Sequence, residues 1–220
     1  MPIRFALLLL AVATGARAQL VQTSVDPASD SNWSATAAQT VGLGNSAVAA
    51  EAGWPGVGFT YLHGVDERTD WGFHAAFNYG LQGTTTQLAG GSVGFAYRHW
   101  VQGLSDVGFM LEARPGLVLY GSQGSVLFGV GGPVGVVAGF RLDERLTLDL
   151  AFEVPVLVSF SNPAGVLFGP QFGGGGEYQL NHNLALTARL RVGPEFAITT
   201  VDSSARLGLT ALFGLAYNLR

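Results

Sequence analysis

Between residues 146 and 160 (LTLDLAFEVPVLVSF) every even position is apolar: Leu146, Leu148, Leu150, Phe152, Val154, Val156, Val158 and Phe160. The odd positions include Thr147, Asp149, Glu153 and Ser159. A period of two over such a length describes a strand with one apolar face. Pro155 and the β-branched residues argue against a helix. The end of the chain obeys the same rule, with Leu207, Leu209, Ala211, Phe213, Leu215, Tyr217 and Leu219 on one face and Arg206, Gly208, Thr210, Gly214 and Asn218 among the other. Applied from residue 46 onward, the template predicts strands near 46–54, 56–64, 71–80, 88–99, 107–119, 130–141, 146–159, 167–179, 184–194 and 205–219. The fold class is therefore all-β, a closed antiparallel barrel of ten strands, with eight as the alternative if the first pair is irregular.

The predicted connections alternate in kind. Those at 66–70 (DERTD), around 102–105, at 143–145 (DER) and at 181–183 (NHN) are short and polar. Those near 81–87, 120–129, 160–166 and 195–204 are longer. Short turns at one end and longer loops at the other are the habit of outer-membrane barrels. Pro115, Pro133, Pro155, Pro170 and Pro194 all fall in the strand halves nearest the longer loops. Proline lacks a ladder donor, so the hydrogen bonding is expected to loosen there.

Residues 1–18 read as an export signal: Arg4, an apolar run over 5–13, and the small-x-small site Ala16-Arg17-Ala18. That run is too short for a membrane helix, and no later stretch approaches one. Residues 19–45 are polar, rich in Ser, Thr and Ala, and without period. They are expected to form a flexible lead segment, a small plug inside the barrel being the alternative. Residues 46–220 then make up the barrel.

Charge decides which face looks where. Only 12% of residues are charged, and all 11 basic residues are arginine. After loss of Arg4 and Arg17 the chain carries nine arginines against 15 acids, a net −6, which argues against nucleic acid. A water-soluble barrel would carry Lys and Glu on its non-aliphatic face. Here that face is Gly, Ala, Thr, Ser and Asn with isolated charges, which suits a crowded interior. On 71–80 the outward register runs Trp71, Phe73, Ala75, Phe77, Tyr79, so two aromatics bracket roughly 20 Å of tilted strand. Tyr61, Tyr97, Tyr178 and Tyr217 are expected outward near the turn ends, completing an aromatic girdle against outer-membrane lipids.

These features together resemble the small outer-membrane β-barrel proteins of bacteria: the signal ending Ala16-Arg17-Ala18, the alternating strands over 46–220, and the terminal LGLTALFGLAYNLR. The last segment is similar to the family's C-terminal assembly signal but closes Tyr217-Asn218-Leu219-Arg220 rather than on an aromatic. The resemblance implies an outer-membrane location and insertion by the barrel assembly machinery. It fixes no activity.

Carrying the register inward places Glu51, Glu112, Asp149, Glu153 and Glu177 in the lumen with Arg98, Arg114, Arg189, Arg191 and Arg206. Enclosed charges need partners, and the planar guanidinium fork satisfies two carboxylate oxygens at once. A salt-bridge-filled lumen is the expectation, with a narrow ion or small-solute channel as the alternative. Catalysis finds no footing. His63, His99 and His182 fall at or near the turn ends, His74 faces inward mid-strand, and the loop acids Glu195 and Asp202 have no histidine beside them. Outer-membrane hydrolases need such a pairing, so no nucleophile can be named. Residues 173–176 (GGGG) precede no helix and read as a strand making room for a bulky interior side chain, not as a phosphate loop. No metal or cofactor site is expected.

Overall fold

A computed structural model describes residues 33–219 apart from 82–84, 86, 105–106, 123–124 and 162–163. The expected export signal and the first part of the lead segment, residues 1–32, lie outside the described residues. Twelve strand segments follow: β1 (Ser46–Trp54), β2 (Gly56–Gly64), β3 (Thr69–Asn78), β4 (Ala89–Leu104), β5 (Val107–Ala113), β6 (Gly116–Ser122), β7 (Ser125–Arg141), β8 (Leu146–Ser159), β9 (Gly165–Phe168), β10 (Gln171–Gln179), β11 (Leu184–Thr199) and β12 (Ser203–Asn218).

These segments form ten staves. β5 and β6 both lie between β4 and β7 and are one stave interrupted at Arg114-Pro115. β9 and β10 both lie between β8 and β11, interrupted at Gly169-Pro170. A proline supplies no amide hydrogen to the ladder, so each break falls where a donor is missing. Pro133 and Pro155 face each other across β7 and β8. Every neighbouring pair is antiparallel, and β12 pairs with β1 from Ala47↔Asn218 to Trp54↔Ala211, which closes the ring. The fold is a closed antiparallel barrel of ten staves. The WPG stretch is the turn between the first two, with Pro55 alone between β1 and β2.

Two expectations about the connections need correction. The stretches 120–129 and 195–204, expected as longer loops, are mostly strand: β6 runs to Ser122, β7 begins at Ser125, and β11 and β12 are separated by residues 200–202 alone. Their Gly, Ser and Pro residues read as turn signals in isolation. Within the sheet the outward positions Val126, Phe128, Phe196 and Ile198 continue the apolar series, and neighbouring strands supply the ladder. Glu195 accordingly sits in β11, not in a loop. The wall is consequently uneven: β1 and β2 have nine residues each, whereas β4, β11 and β12 have 16 and β7 has 17.

The two faces of the sheet are chemically opposite. Outside, Phe73, Phe77, Phe95, Leu150, Phe172 and Phe213 are exposed, Phe213 by 68%. Cross-strand neighbours pack there: Phe152 and Phe172 with ring centroids 4.8 Å apart, Phe73 and Phe95 at 5.6 Å. Trp71 meets Tyr97 edge-on at 6.1 Å, and Tyr178 and Tyr217 are likewise exposed at the turn end. Tyr61 is half-buried, its hydroxyl 3.0 Å from Ser46 Oγ. At the opposite end Tyr79 packs on Trp54 at 5.6 Å. Inside, the buried residues are small or ionic over much of the bore, with larger apolar side chains gathered in clusters such as Leu81, Val118, Tyr120, Leu157 and Leu167.

The polar turns are self-capped. Asp143 Oδ1 accepts the backbone amides of Arg145 at 2.7 Å and Leu146 at 2.8 Å, and those donors hold its carboxyl below the usual aspartate range. A depressed folded value means the capping is present at neutral pH and is lost as pH falls through that value. The amide proton shifts of Arg145 and Leu146, followed by NMR in detergent micelles, should titrate with a midpoint below that of an unstructured aspartate. Asp143→Asn should abolish the titration while keeping the turn.

Candidate functional site

The lumen is built in three layers. At the turn end it is filled by residues 33–41, part of the segment expected to be a flexible lead. They are not a free tail: Ala37 and Val41 are fully buried, and Trp33 is 1% exposed. The correction has a physical cause. Ser, Thr and Ala have no period of their own, yet their small size and backbone polarity fit a cradle that the barrel presents. Arg98 on β4 donates to the carbonyls of Ser34 (3.0 Å), Ala37 (2.7 Å) and Gln39. Glu177 Oε2 on β10 accepts the hydroxyls of Ser34 and Thr36, each at 2.9 Å, and the amides of Ala35 and Thr36. Asp70 on β3 accepts the Val41 amide at 3.1 Å and lies 3.6 Å from Arg98. The Trp33 indole donates to the His182 carbonyl in a turn.

Room for this segment comes from missing side chains on the inward face. Trp33, Ala35 and Val41 pack among Ala47, Ala49, Leu62, Ala96, Ala185 and Ala216. A Cβ on Gly139 would lie 2.8 Å from the Ala38 methyl, and one on Gly108 equally close to the Ala38 carbonyl. Neither contact is tolerable, so both positions must stay bare for the plug to seat.

The middle layer is ionic. Arg189 grips Glu51 with a two-point fork, its Nε at 2.9 Å and its Nη2 on the other oxygen. Arg191 bridges Glu153 (3.1 Å) and Asp149 (3.2 Å), and gives its remaining group to the Gly174 carbonyl at 2.8 Å. Arg114 bonds both oxygens of Glu112 at 3.1 and 3.2 Å, and Arg206 Nε holds Glu195 at 2.9 Å. Glu112, Asp149, Glu153 and Arg191 are buried, so breaking one pair would strand a charge in low dielectric. Beside them is a cavity of about 70 Å³ edged by His74, Thr60, Asn78, Arg114 and Gln171. That is room for a few waters.

The outer layer is apolar. Leu81, Val118, Tyr120, Leu157 and Leu167 form a buried cluster, with Leu88, Leu127 and Ala197 against it. Its members come from five adjoining staves and from the connection after β3, so the cluster joins that half of the wall to the connection. The Tyr120 hydroxyl accepts from Asn78 Nδ2 at 2.7 Å, tying this layer to the polar one. A lumen expected to be polar throughout is therefore greasy at this end.

All ten charged residues singled out from the sequence lie on the inward register. They do not form one network. Arg98 and Glu177 bind the plug, while the other eight make ion pairs. Asp70 and Glu195 were missed because both sat in presumed turns or loops. An inward parity count from His74 or Arg191 would have found them. Among the glycines, a Cβ on Gly175 would lie 2.7 Å from Asp149 Oδ2, so the GGGG stretch leaves space for that carboxylate. His63 and His99 bond to Ser46 (2.9 Å) and Thr69 (3.1 Å) on the wall. His74 faces the cavity, and among the described residues no hydrogen bond joins it to a carboxylate or hydroxyl. Nor do the described residues contain a cluster that could hold a metal ion.

No protein-family model matches the chain, and no curated protein matches it. Among solved structures it is similar to Ail, the attachment invasion locus protein of Yersinia pestis, at 13% identity and a TM-score of 0.27. The match covers 80% of this chain and 94% of that one. At that score the likeness carries no functional weight, and the site must be read from its own geometry.

Arg98 is the residue on which plug seating turns. Arg98→Ala would leave three carbonyls without their donor and Asp70 without its counter-charge, a loss of about 3–5 kcal/mol. It should expose residues 33–45 to limited proteolysis in the folded barrel, with Arg98→Lys rescuing only part, because an ammonium cannot reach all four acceptors.

Proposed function

We propose that this chain is an outer-membrane barrel of structural or surface-interaction type, sealed by its own N-terminal segment and without catalysis. The observation that carries this reading is the inversion of the two faces. Large apolar side chains cover the outside in a continuous band, and paired charges are shut inside. Water would penalise that exterior heavily, since ordinary soluble surfaces keep apolar patches to a few hundred Å². Hydrocarbon would not. Trp71, Tyr97, Tyr178 and Tyr217 at one end and Trp54 and Tyr79 at the other then meet the two interfaces. The signal pattern over residues 1–18 supplies the route of export, the outer-membrane lipids are the solvent, and the barrel assembly machinery is the insertion partner.

The filled bore argues for closure rather than passage. A solute entering from the turn end meets the plug, then the ion pairs, then the apolar layer. Each has few ways to yield without breaking buried bonds.

Planar bilayers decide this directly. The purified mature protein should give no unitary current steps in molar salt. Reproducible steps that change on neutralising Arg114 or Glu153 would replace this reading with a narrow channel.

A further inference from the structure

The β12–β1 ladder does not run the length of β12. Its last pair is Trp54↔Ala211, where β1 ends, while β12 continues to Ser203 with β11 as its only partner among the described residues. Residues 203–210 therefore form the edge of a sheet that rises beside the low β1–β3 wall.

The backbone polarity of that edge follows from two bonds. Asn218 donates its amide to Asn183 on the β11 side, whereas Leu219 donates to Ser46 on the β1 side. Amides alternate in direction along a strand, and the β11–β12 register is unbroken from Leu184↔Tyr217 to Ile198↔Ser203. The odd residues Ser203, Ala205, Leu207 and Leu209 thus aim both N–H and C=O at the open side. Pro194 opposite Leu207 agrees, because that pair exchanges no hydrogen bond within the β11–β12 ladder. Ser203, Ala205 and Leu207 are exposed, Leu207 by 58%.

Natural sheets blunt such edges with lysine, proline or a bulge. Ser203, Ala205, Leu207 and Leu209 carry none of these, and the one charge among residues 203–210 is Arg206, which turns inward onto Glu195. Nor can this edge lie in hydrocarbon, which offers no partner to an unmet backbone group. It starts where Trp54 and Tyr79 mark the interface and climbs roughly 18 Å beyond, allowing for tilt.

We propose that the edge of β12, open among the described residues, is a strand-addition site for an extended segment of another protein. The occupant continues the line that β1 abandons, antiparallel to β12. Its alternate residues fall on the outer face beside Leu207 and Leu209, so they are apolar. A polypeptide is the one ligand class whose repeat matches a ladder of donors and acceptors spaced two residues apart. This names the partner of the surface-interaction barrel proposed above and rests on that reading for the side of the membrane the edge faces.

The test uses the full mature chain in lipid nanodiscs and a fluorescein-labelled octapeptide of alternating valine and threonine. In the free protein, amide exchange should be fast at Ser203, Ala205, Leu207 and Leu209 and slow at the even residues between them. The peptide should slow the odd set and bind saturably. Leu207→Pro removes one edge donor without touching the β11 ladder and should weaken binding about tenfold or more, while Leu207→Ala keeps it within about threefold. Equal binding by the proline variant overturns the proposal, as do odd amides already slow in the free protein. Concentration-dependent disulfide dimers of Leu207→Cys would also overturn it, by assigning the edge to a second copy. Labelling of Leu207→Cys by an impermeant maleimide on whole cells reports the membrane side, and conductance reports the seal. A leaky or inverted barrel with a peptide-protected edge would sink the proposed function and leave the strand-addition site standing.

Discussion

Closure of the sheet by the β12–β1 ladder is the constraint from which the other features descend. Once the ends of the sheet are joined, each strand has an inside and an outside, and the period of two must serve both. Every inward position competes for a narrow bore, so bulk there is rationed. Alanine and glycine on β1, β4, β7, β11 and β12 are the result at the plug, and paired ions are the result above it. The same closure stops early, at Trp54, and that early stop creates the edge of β12.

The interior is held by satisfying polar groups rather than by apolar packing alone. Glu177 and Asp70 are met by backbone and hydroxyl donors of residues 34–41, with Arg98 joining Asp70 to the segment's carbonyls. The N-terminal segment and the inward charges therefore need each other. Without the segment, Glu177 would be a buried carboxylate stripped of the four donors that Ser34, Ala35 and Thr36 supply. Without Glu177 and Arg98, a stretch of Ser, Thr and Ala would have little reason to enter the barrel at all. This reciprocity suits a static seal, and it ties the fate of the lead segment to the folding of the barrel.

The uneven wall bears on what the outer surface can offer. Two of the four long connections, 120–129 and 195–204, are mostly strand, whereas 81–87 and most of 160–166 lie between strands. What the tall side presents is ladder and apolar side chains, including Phe128, Phe160 and Ile198, rather than a set of mobile loops. Recognition by such a surface relies on backbone geometry more than on loop sequence.

Alternation along residues 146–160 and at the C-terminus specified strands and their faces, because side-chain direction in a strand has a fixed period, and the same template carried from residue 46 pointed to ten staves with eight as the alternative. The scarcity of charge, and the placement of arginine opposite carboxylates, foretold which face would be enclosed. Tertiary structure decided the rest. Which arginine meets which acid depends on stagger between staves, which no local pattern encodes. Asp70 and Glu195 entered the lumen because strands outran their apparent turns, the neighbouring ladder outweighing local Gly, Ser and Pro signals. Residues 33–41 were illegible for a deeper reason: a segment without period acquires its conformation from donors and acceptors brought together only when the ring closes.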